Sequence, residues 1–243
     1  MRMLAAVLAL SVVAAGSSAF GAQVLGVDFN SDSVTPGTFS PTQSGFQGVN
    51  VENGLGVSAI SDSFTTDPST TSGTTTVAIS GVQIRSRDRV SSPTNSGSLT
   101  LADLYRDFAL NDAADMTISV SGLKASTTYN LRFYVYDDLI ATGSVVSTDQ
   151  FTNTTGGAQP SPTVGSVSYG GSGAVTADNQ YSIAFNATSD ATGAITFDEL
   201  NTTPASNQTL AILNGIVIST VPEPASLALL GLGGMMLLRR RRG

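Results

Sequence analysis

The chain contains no cysteine, no histidine and no tryptophan in its 243 residues. Without histidine and cysteine there is no Ser-His-Asp triad, no thiol nucleophile, no histidine-ligated zinc and no histidine-ligated haem. Without cysteine there are no disulfides either, so stability must come from packing even in an oxidising compartment. The missing tryptophan removes the usual platform on which sugar rings stack. Charge is sparse at 12% of residues, and positive charge is sparser still, 11 basic against 18 acidic. What is abundant is Gly, 25 residues, together with Ser and Thr, a composition that suits strands and turns over helices. No self-similarity at a period of about 20 to 50 residues is visible, which argues against a solenoid or propeller.

The two ends differ from everything between them. Residues 221–243 begin with Val221, Pro222, Glu223 and Pro224, continue through an uncharged run from Ala225 to Leu238, and finish with Arg239, Arg240, Arg241 and Arg242. The prolines cannot continue a strand or sit inside a helix, so a folded body must stop before them. As a helix, Ala225 to Leu238 reaches about 21 Å, short of the roughly 30 Å hydrocarbon core. It therefore spans only by drawing in its flanks, thinning the bilayer or snorkelling its arginines. The arginine block would keep the C-terminus cytoplasmic. A permanent anchor is one reading of such a tail.

Pro-Glu-Pro, a short Gly/Leu helix and an arginine cluster, in that order, resemble the PEP-CTERM sorting signal of exported bacterial proteins. The resemblance implies a membrane transpeptidase-like enzyme, exosortase, that recognises the Pro-Glu-Pro element and removes the helix. It also implies a destination at the cell surface or in the extracellular matrix of exopolysaccharide-producing bacteria with two membranes. The tail then touches the inner membrane only transiently.

The N-terminus agrees. Arg2 precedes an apolar run, Leu4 to Ala15, and small residues follow, the pattern of a secretory signal peptide. Cleavage fits after Ala19 or after Gly21. The chain thus divides into a signal peptide (1–21), a body (22–220) and a sorting signal (221–243). With Arg2, Glu223 and the four terminal arginines set aside, the body of about 198 residues keeps 17 acidic and 6 basic residues, net −11. Such a surface repels nucleic acid and anionic lipid, which argues against both as partners.

Within the body, strand-like runs alternate with Gly, Pro, Asn and Ser. Val24–Phe29 reads as a strand, Ser31–Asn53 as a long loop, and Gly56–Ile60 as a weak strand. Ser61–Gly73 reads as a second loop, and Thr74–Val90 as two strand pieces parted by Gly81. Leu101–Leu110 reads as one helical turn leading into a strand. Met116–Val120 and Tyr129–Tyr136 read as the arms of a hairpin. In the second arm Tyr129, Leu131, Phe133 and Val135 share one face, and Asn130, Arg132, Tyr134 and Tyr136 the other. Further strands are expected at 145–151, 163–169, 181–187, 193–197 and 210–218. The sum is an all-β sandwich of about ten strands in one domain, flanked by the signal helix and the C-terminal transmembrane helix.

Three stretches, Leu104–Phe108, Ser121–Asp137 and Ala211–Ile218, resemble jelly-roll domains of the galactose-binding and malectin-like type. That resemblance implies a carbohydrate-binding relative.

Three constellations are candidates for chemistry. Asp28, Asp137 with Asp138, and Asp198 with Glu199 stand at strand ends, where oxygen ligands for Ca²⁺, the one candidate cofactor, would gather from several loops. Solvated turn aspartates are the alternative. Arg85, Arg87 and Arg89 project from one face at strand spacing, with Asp88 opposite, and suit bidentate contacts to an acidic polysaccharide. Pairing with nearby aspartates is the alternative. Tyr134 and Tyr136, with Arg132, form an aromatic face for sugar stacking unless a neighbouring loop covers it. A two-carboxylate glycosidase needs no histidine, yet no pair at the required separation is recognisable. The sequence therefore reads as a non-catalytic structural or adhesive component of the surface or matrix, with an exopolysaccharide-binding module as the alternative.

Overall fold

Short apolar–polar alternations build thirteen β-strands in the computed structural model, which describes residues 21–53, 56–89, 93, 97–113, 115–137, 146–154, 163–170, 174–203 and 210–221. They are β1 Gln23–Ser31, β2 Gln47–Val51, β3 Val57–Thr65, β4 Thr71–Asp88, β5 Asp107–Asn111, β6 Asp115–Leu123 and β7 Thr128–Tyr134. After these come β8 Val146–Asn153, β9 Thr163–Gly170, β10 Ser182–Thr188, β11 Ile195–Thr203, β12 Ala211–Leu213 and β13 Gly215–Thr220. The expected terminal helices lie outside the described residues.

The strands form a two-sheet sandwich. One sheet has the order β10-β7-β13-β1-β2; the other runs β12-β5-β4-β6-β11-β8-β9, with β3 also paired to β4. Phe133 of the first sheet meets Phe151 and Phe197 of the second, ring centroids 4.9 and 5.2 Å apart. All three rings are fully buried, each worth about 1.5–3 kcal/mol of apolar burial.

Thirteen strands exceed the ten expected, for identifiable reasons. Within the expected loop, Val49 and Val51 are buried in β2, which pairs in parallel with β1. The Ser/Thr loop shrinks to a turn at residues 66–70, because β3 and β4 extend into it from both sides. Thr74–Val90 is not two strands but the greater part of β4, which changes partner midway. Up to Ser80 it pairs with β6, and from Ile84 onward with β5. Gly81 marks the change: a Cβ there would collide with the Asn111 side chain, whose Oδ1 accepts the Gln83 amide at 2.9 Å. The turn before β5 forms as expected, with the Tyr105 amide on the Leu101 carbonyl at 3.3 Å.

The expected hairpin is absent. β6 pairs with β4 and β11, whereas β7 pairs with β10 and β13, so the two arms lie in different sheets. Both arms carry a wholly buried face, Met116, Ile118 and Val120 on one, Tyr129, Leu131 and Phe133 on the other. Arching over places those faces opposite each other across the core instead of side by side. Tyr129 pins the arch: its hydroxyl donates to the Thr70 carbonyl (2.6 Å) and accepts the Lys124 amide (3.0 Å).

A second crossing occurs at Asn214, between β12 in one sheet and β13 in the other. Its side chain accepts the Tyr136 amide at 2.6 Å and donates to the Asp107 carbonyl at 2.8 Å. Its own amide donates to Tyr134 at 2.9 Å and its carbonyl accepts Phe29 at 3.1 Å. A buried polar residue that satisfies backbone groups on both sheets is an inexpensive way to turn the chain between them.

Candidate functional site

β13 is a central strand, held by β1 on one side and β7 on the other, with Ile216 and Ile218 fully buried. It ends at Thr220, and the Val221-Pro222-Glu223-Pro224 element follows with no linker. Its antiparallel partner β1 begins at Gln23, opposite Ser219. The Thr220 amide donates to the Ala22 carbonyl at 3.0 Å. A Cβ on Gly21 would overlap the Thr220 carbonyl, so the first described residue packs against the end of β13. Both end segments therefore leave the sandwich from one pole. Pro222, Glu223, Pro224 and Arg239 to Arg242 themselves lie outside the described residues.

Arg85 and Arg87 share a face of β4, and Arg89 follows at the same spacing one residue past the strand's end. Arg89 forms a two-pronged pair with Asp137, Nε to Oδ1 at 2.8 Å and Nη2 to Oδ2 at 2.7 Å, with its guanidinium 5.4 Å from the Phe108 ring centroid. Arg85 pairs with Asp112. On the opposite face Asp88 takes Arg106 at 2.8 and 2.9 Å. Arg87, between the two paired arginines, has no hydrogen bond and no carboxylate within ion-pair distance among the described residues. It is half-buried, and desolvation, then Arg89, pulls its pKa below the usual arginine value.

Tyr134 and Tyr136 are not an exposed platform. They are 4% and 3% exposed, because Tyr105 packs edge-on against both at 5.8 and 5.7 Å and Tyr181 stacks on Tyr136 at 5.0 Å. The segments carrying Tyr105 and Tyr181 cover the ring faces that a sugar would need. Arg132 donates to Ser182 Oγ at 2.8 Å.

The proposed calcium ligands do not converge. Asp137 is engaged by Arg89, Asp198 accepts Thr117 Oγ1 at 2.9 Å, and Asp138 lies outside the described residues. Asp28 and Glu199 are not at solvated strand ends but fully buried, in different places. Among the described residues no three or more acidic side chains cluster to hold a metal ion.

Asp28 has a buried acidic neighbour that sequence reasoning missed. Asp28 Oδ2 accepts the Gln43 amide at 2.6 Å, and Asp107 Oδ2 accepts the Ser31 amide at 3.1 Å. Burial pushes Asp28 up to about 7; burial, and then Asp28 itself, push Asp107 up to about 9. A second set, also missed apart from Glu199, comprises Asp149, Tyr169, Ser147 and Asn201. Burial raises Asp149 to about 8, and burial, then Asp149, hold Glu199 well above the ordinary carboxylate value. Both sets are closed off inside the sandwich. A small cavity of about 190 Å³ opens elsewhere, between β2 and β3, lined by Asn50, Val51, Glu52, Gly56, Val57 and Ile60. It presents a single carboxylate.

Residues 220–242 match the PEP-CTERM protein-sorting motif. That motif implies processing by an exosortase, export, and sorting to the cell surface. No curated protein matches the chain. Among solved structures, the K3 cleaved adhesin domain of Lys-gingipain from Porphyromonas gingivalis is similar at 12% identity and a TM-score of 0.31, over 56% of this chain and 91% of that one. The isomalto-dextranase of Arthrobacter globiformis T6, complexed with panose, is similar at 13% identity and a TM-score of 0.30. That likeness covers 67% of this chain and 23% of the enzyme. Neither similarity is close enough to speak for this chain's chemistry.

Proposed function

We propose that this chain, which ends in a PEP-CTERM sorting motif, is a non-catalytic structural or adhesive component of the cell surface or matrix. In this reading it is a jelly-roll-like body from which both end segments are removed. The observation that carries it is the continuity of β13 with the sorting signal beside the start of β1. A body hung from one pole presents its other surfaces outward once it is trimmed. The antiparallel pairing of first and last strands, and the crossings between sheets, support the jelly-roll description. Against turnover stands the burial of both carboxylate pairs: a glycosidase needs two carboxyl groups flanking a bound sugar, and these have no route to one. The test is to express the chain with Pro222, Glu223 and Pro224 all replaced by alanine. The parent should reach the surface, and the variant should stay in the inner membrane at full length. The purified parent should release no reducing ends from a polysaccharide panel; release abolished by Glu199→Gln would overturn the non-catalytic assignment.

A second reading, exopolysaccharide binding, is favoured by one observation, the unpaired Arg87 between two arginines already neutralised by aspartates. A uronate or sulfate group would supply the missing counter-charge in the two-pronged geometry that guanidinium prefers. The measurement is co-sedimentation with acidic and neutral polysaccharides. Binding restricted to acidic chains, weakened by salt and lost in Arg87→Gln, supports it; equal retention of Arg87→Gln removes it.

A further inference from the structure

Five oxygen atoms on three adjacent strands lie on one buried face with no hydrogen-bond partner among the described residues. From β8 come both carboxylate oxygens of Asp149, from β11 Glu199 Oε2 and Asn201 Oδ1, and from β9 the Tyr169 hydroxyl. Register brings them together: Asn201 is opposite Asp149, and Ser147, two residues before Asp149 on the same face, is opposite Tyr169. Glu199 is two residues before Asn201 and so occupies the same face, diagonal to Asp149. Asp149, Glu199 and Ser147 have no exposed surface, and Tyr169 and Asn201 are 1% and 5% exposed.

The surrounding hydrogen bonds orient these oxygens without satisfying them. Asn201 spends both amide hydrogens, on Ser147 Oγ at 2.8 Å and the Leu210 carbonyl at 2.9 Å. A carbonyl only accepts, so the Asn201 amide cannot be reversed, and its Oδ1 is left facing away. Glu199 Oε1 accepts the Ile212 amide at 2.9 Å, leaving Oε2 alone. The Tyr169 hydroxyl lies beside Ser147 and Asp149 but makes no hydrogen bond of normal geometry to either. Among the described residues no lysine or arginine pairs with either carboxyl group. Buried oxygens left unpaired are costly, and two carboxylates without a counter-charge more so.

We infer that Asp149, Glu199, Asn201 and Tyr169 form an internal site for one hard divalent cation of the Ca²⁺ class, bound between β8, β9 and β11. The donor set consists of oxygen alone, which selects Ca²⁺ over the softer transition metals. Two carboxylates match the ion's charge, and a side-chain amide oxygen and a hydroxyl supply neutral ligands. The site is distinct from the strand-end ligand set expected from the sequence, with which it shares only Glu199. An ion there clamps three neighbouring strands of the larger sheet and acts as a structural part of the fold.

Terbium is the direct probe, because the chain lacks tryptophan and Tyr169 would be its sensitiser. Purified protein should show terbium emission excited through tyrosine and displaced by Ca²⁺. Tyr169→Phe should lose that emission. Free Ca²⁺ at about a hundredfold over its Kd should raise Tm by about 5–10 °C relative to chelator, with about one equivalent of metal retained after dialysis. The near-isosteric pair Asp149→Asn with Glu199→Gln should fold, since it removes buried charge, and should abolish the Ca²⁺ response. No emission and no Tm response in the parent would overturn the site and leave two protonated carboxyl groups in its place. Emission and Ca²⁺ response unchanged in the double variant would also overturn it, placing the ion on surface aspartates.

Discussion

The amide of Thr220 donates to the carbonyl of Ala22 at 3.0 Å, joining two residues 198 positions apart at one pole of the sandwich. The PEP-CTERM sorting motif begins at Thr220 itself, one of those two residues. The first strand and the last are each other's partners, so the segment that follows export and the segment that precedes sorting emerge side by side.

That adjacency is open to a cross-linking test. Gln23 and Ser219 are cross-strand partners, and antiparallel partners bring Cβ atoms about 4.5–5.5 Å apart, close to disulfide range. The chain has no cysteine to interfere. Gln23→Cys with Ser219→Cys should lose free thiol on export to an oxidising compartment and gain Tm. Persistent free thiols would contradict the pairing of β1 with β13.

The three arginines of β4 should differ sharply on replacement. Arg89→Gln removes both prongs of the pair with Asp137, whose side chain is 4% exposed, and is expected to cost about 3 kcal/mol. Arg85→Gln breaks a solvent-accessible pair and should cost less than about 1 kcal/mol. Arg87→Gln removes an unpaired, half-buried charge and should be neutral or stabilising. Denaturant unfolding of the three variants decides; equal costs would mean that the ladder acts as one structural unit.

Asn214 should be among the least replaceable residues. Asn214→Ala removes the hydrogen bonds that this side chain makes to the Tyr136 amide and the Asp107 carbonyl in the core. At about 1–3 kcal/mol for each buried bond lost, a loss of about 2–6 kcal/mol is expected in urea unfolding. Asn214→Asp keeps the acceptor but not the donor, and should also destabilise.

Stability should fall as pH rises. Asp28 and Asp107 are held at about 7 and about 9 in the fold, against about 3.9 unfolded. Over that range the folded chain keeps protons that the unfolded chain has released, so the slope of stability against pH is negative. The contribution is whole below about pH 4 and lost as pH climbs through the folded values. Asp103 and Asp88 add to the elevation, while Arg106 opposes it at Asp107. In chelator, Tm should be higher near about pH 5 than near about pH 9. Asp107→Asn, whose amide oxygen can still accept the Ser31 amide, should flatten the profile.

The periodicities were legible where they concern a single strand. Alternation in Tyr129–Val135 names the buried face correctly, and Leu101–Leu110 reads as the turn and strand it is. Pairing was not legible. Alternation reports which side of a strand meets the core but not which strand lies beside it, so an arch between sheets reads as a hairpin. The long strand β4 was broken in two because Gly81, which makes room for Asn111, looks like a turn. Sequence reasoning missed Asp107 and Asp149 and placed Asp28 and Glu199 at strand ends, although a signal was present: Glu199 stands in period with Ile195 and Phe197, and Asp149 with Phe151. A charged residue at an in-facing position is the mark to look for in such sequences. Tyr134 and Tyr136 misled because their covers, Tyr105 and Tyr181, come from distant parts of the chain.

The central claim, an exported sandwich trimmed at both ends, rests most directly on the intact mass of the protein recovered from the cells that make it. The account expects a mature chain that begins between Phe20 and Ala22, ends within Val221 to Ala225, and is found at the surface or in the matrix. A mass that includes Leu227 to Arg242, in protein that fractionates with the inner membrane, would contradict it and leave a permanently anchored ectodomain.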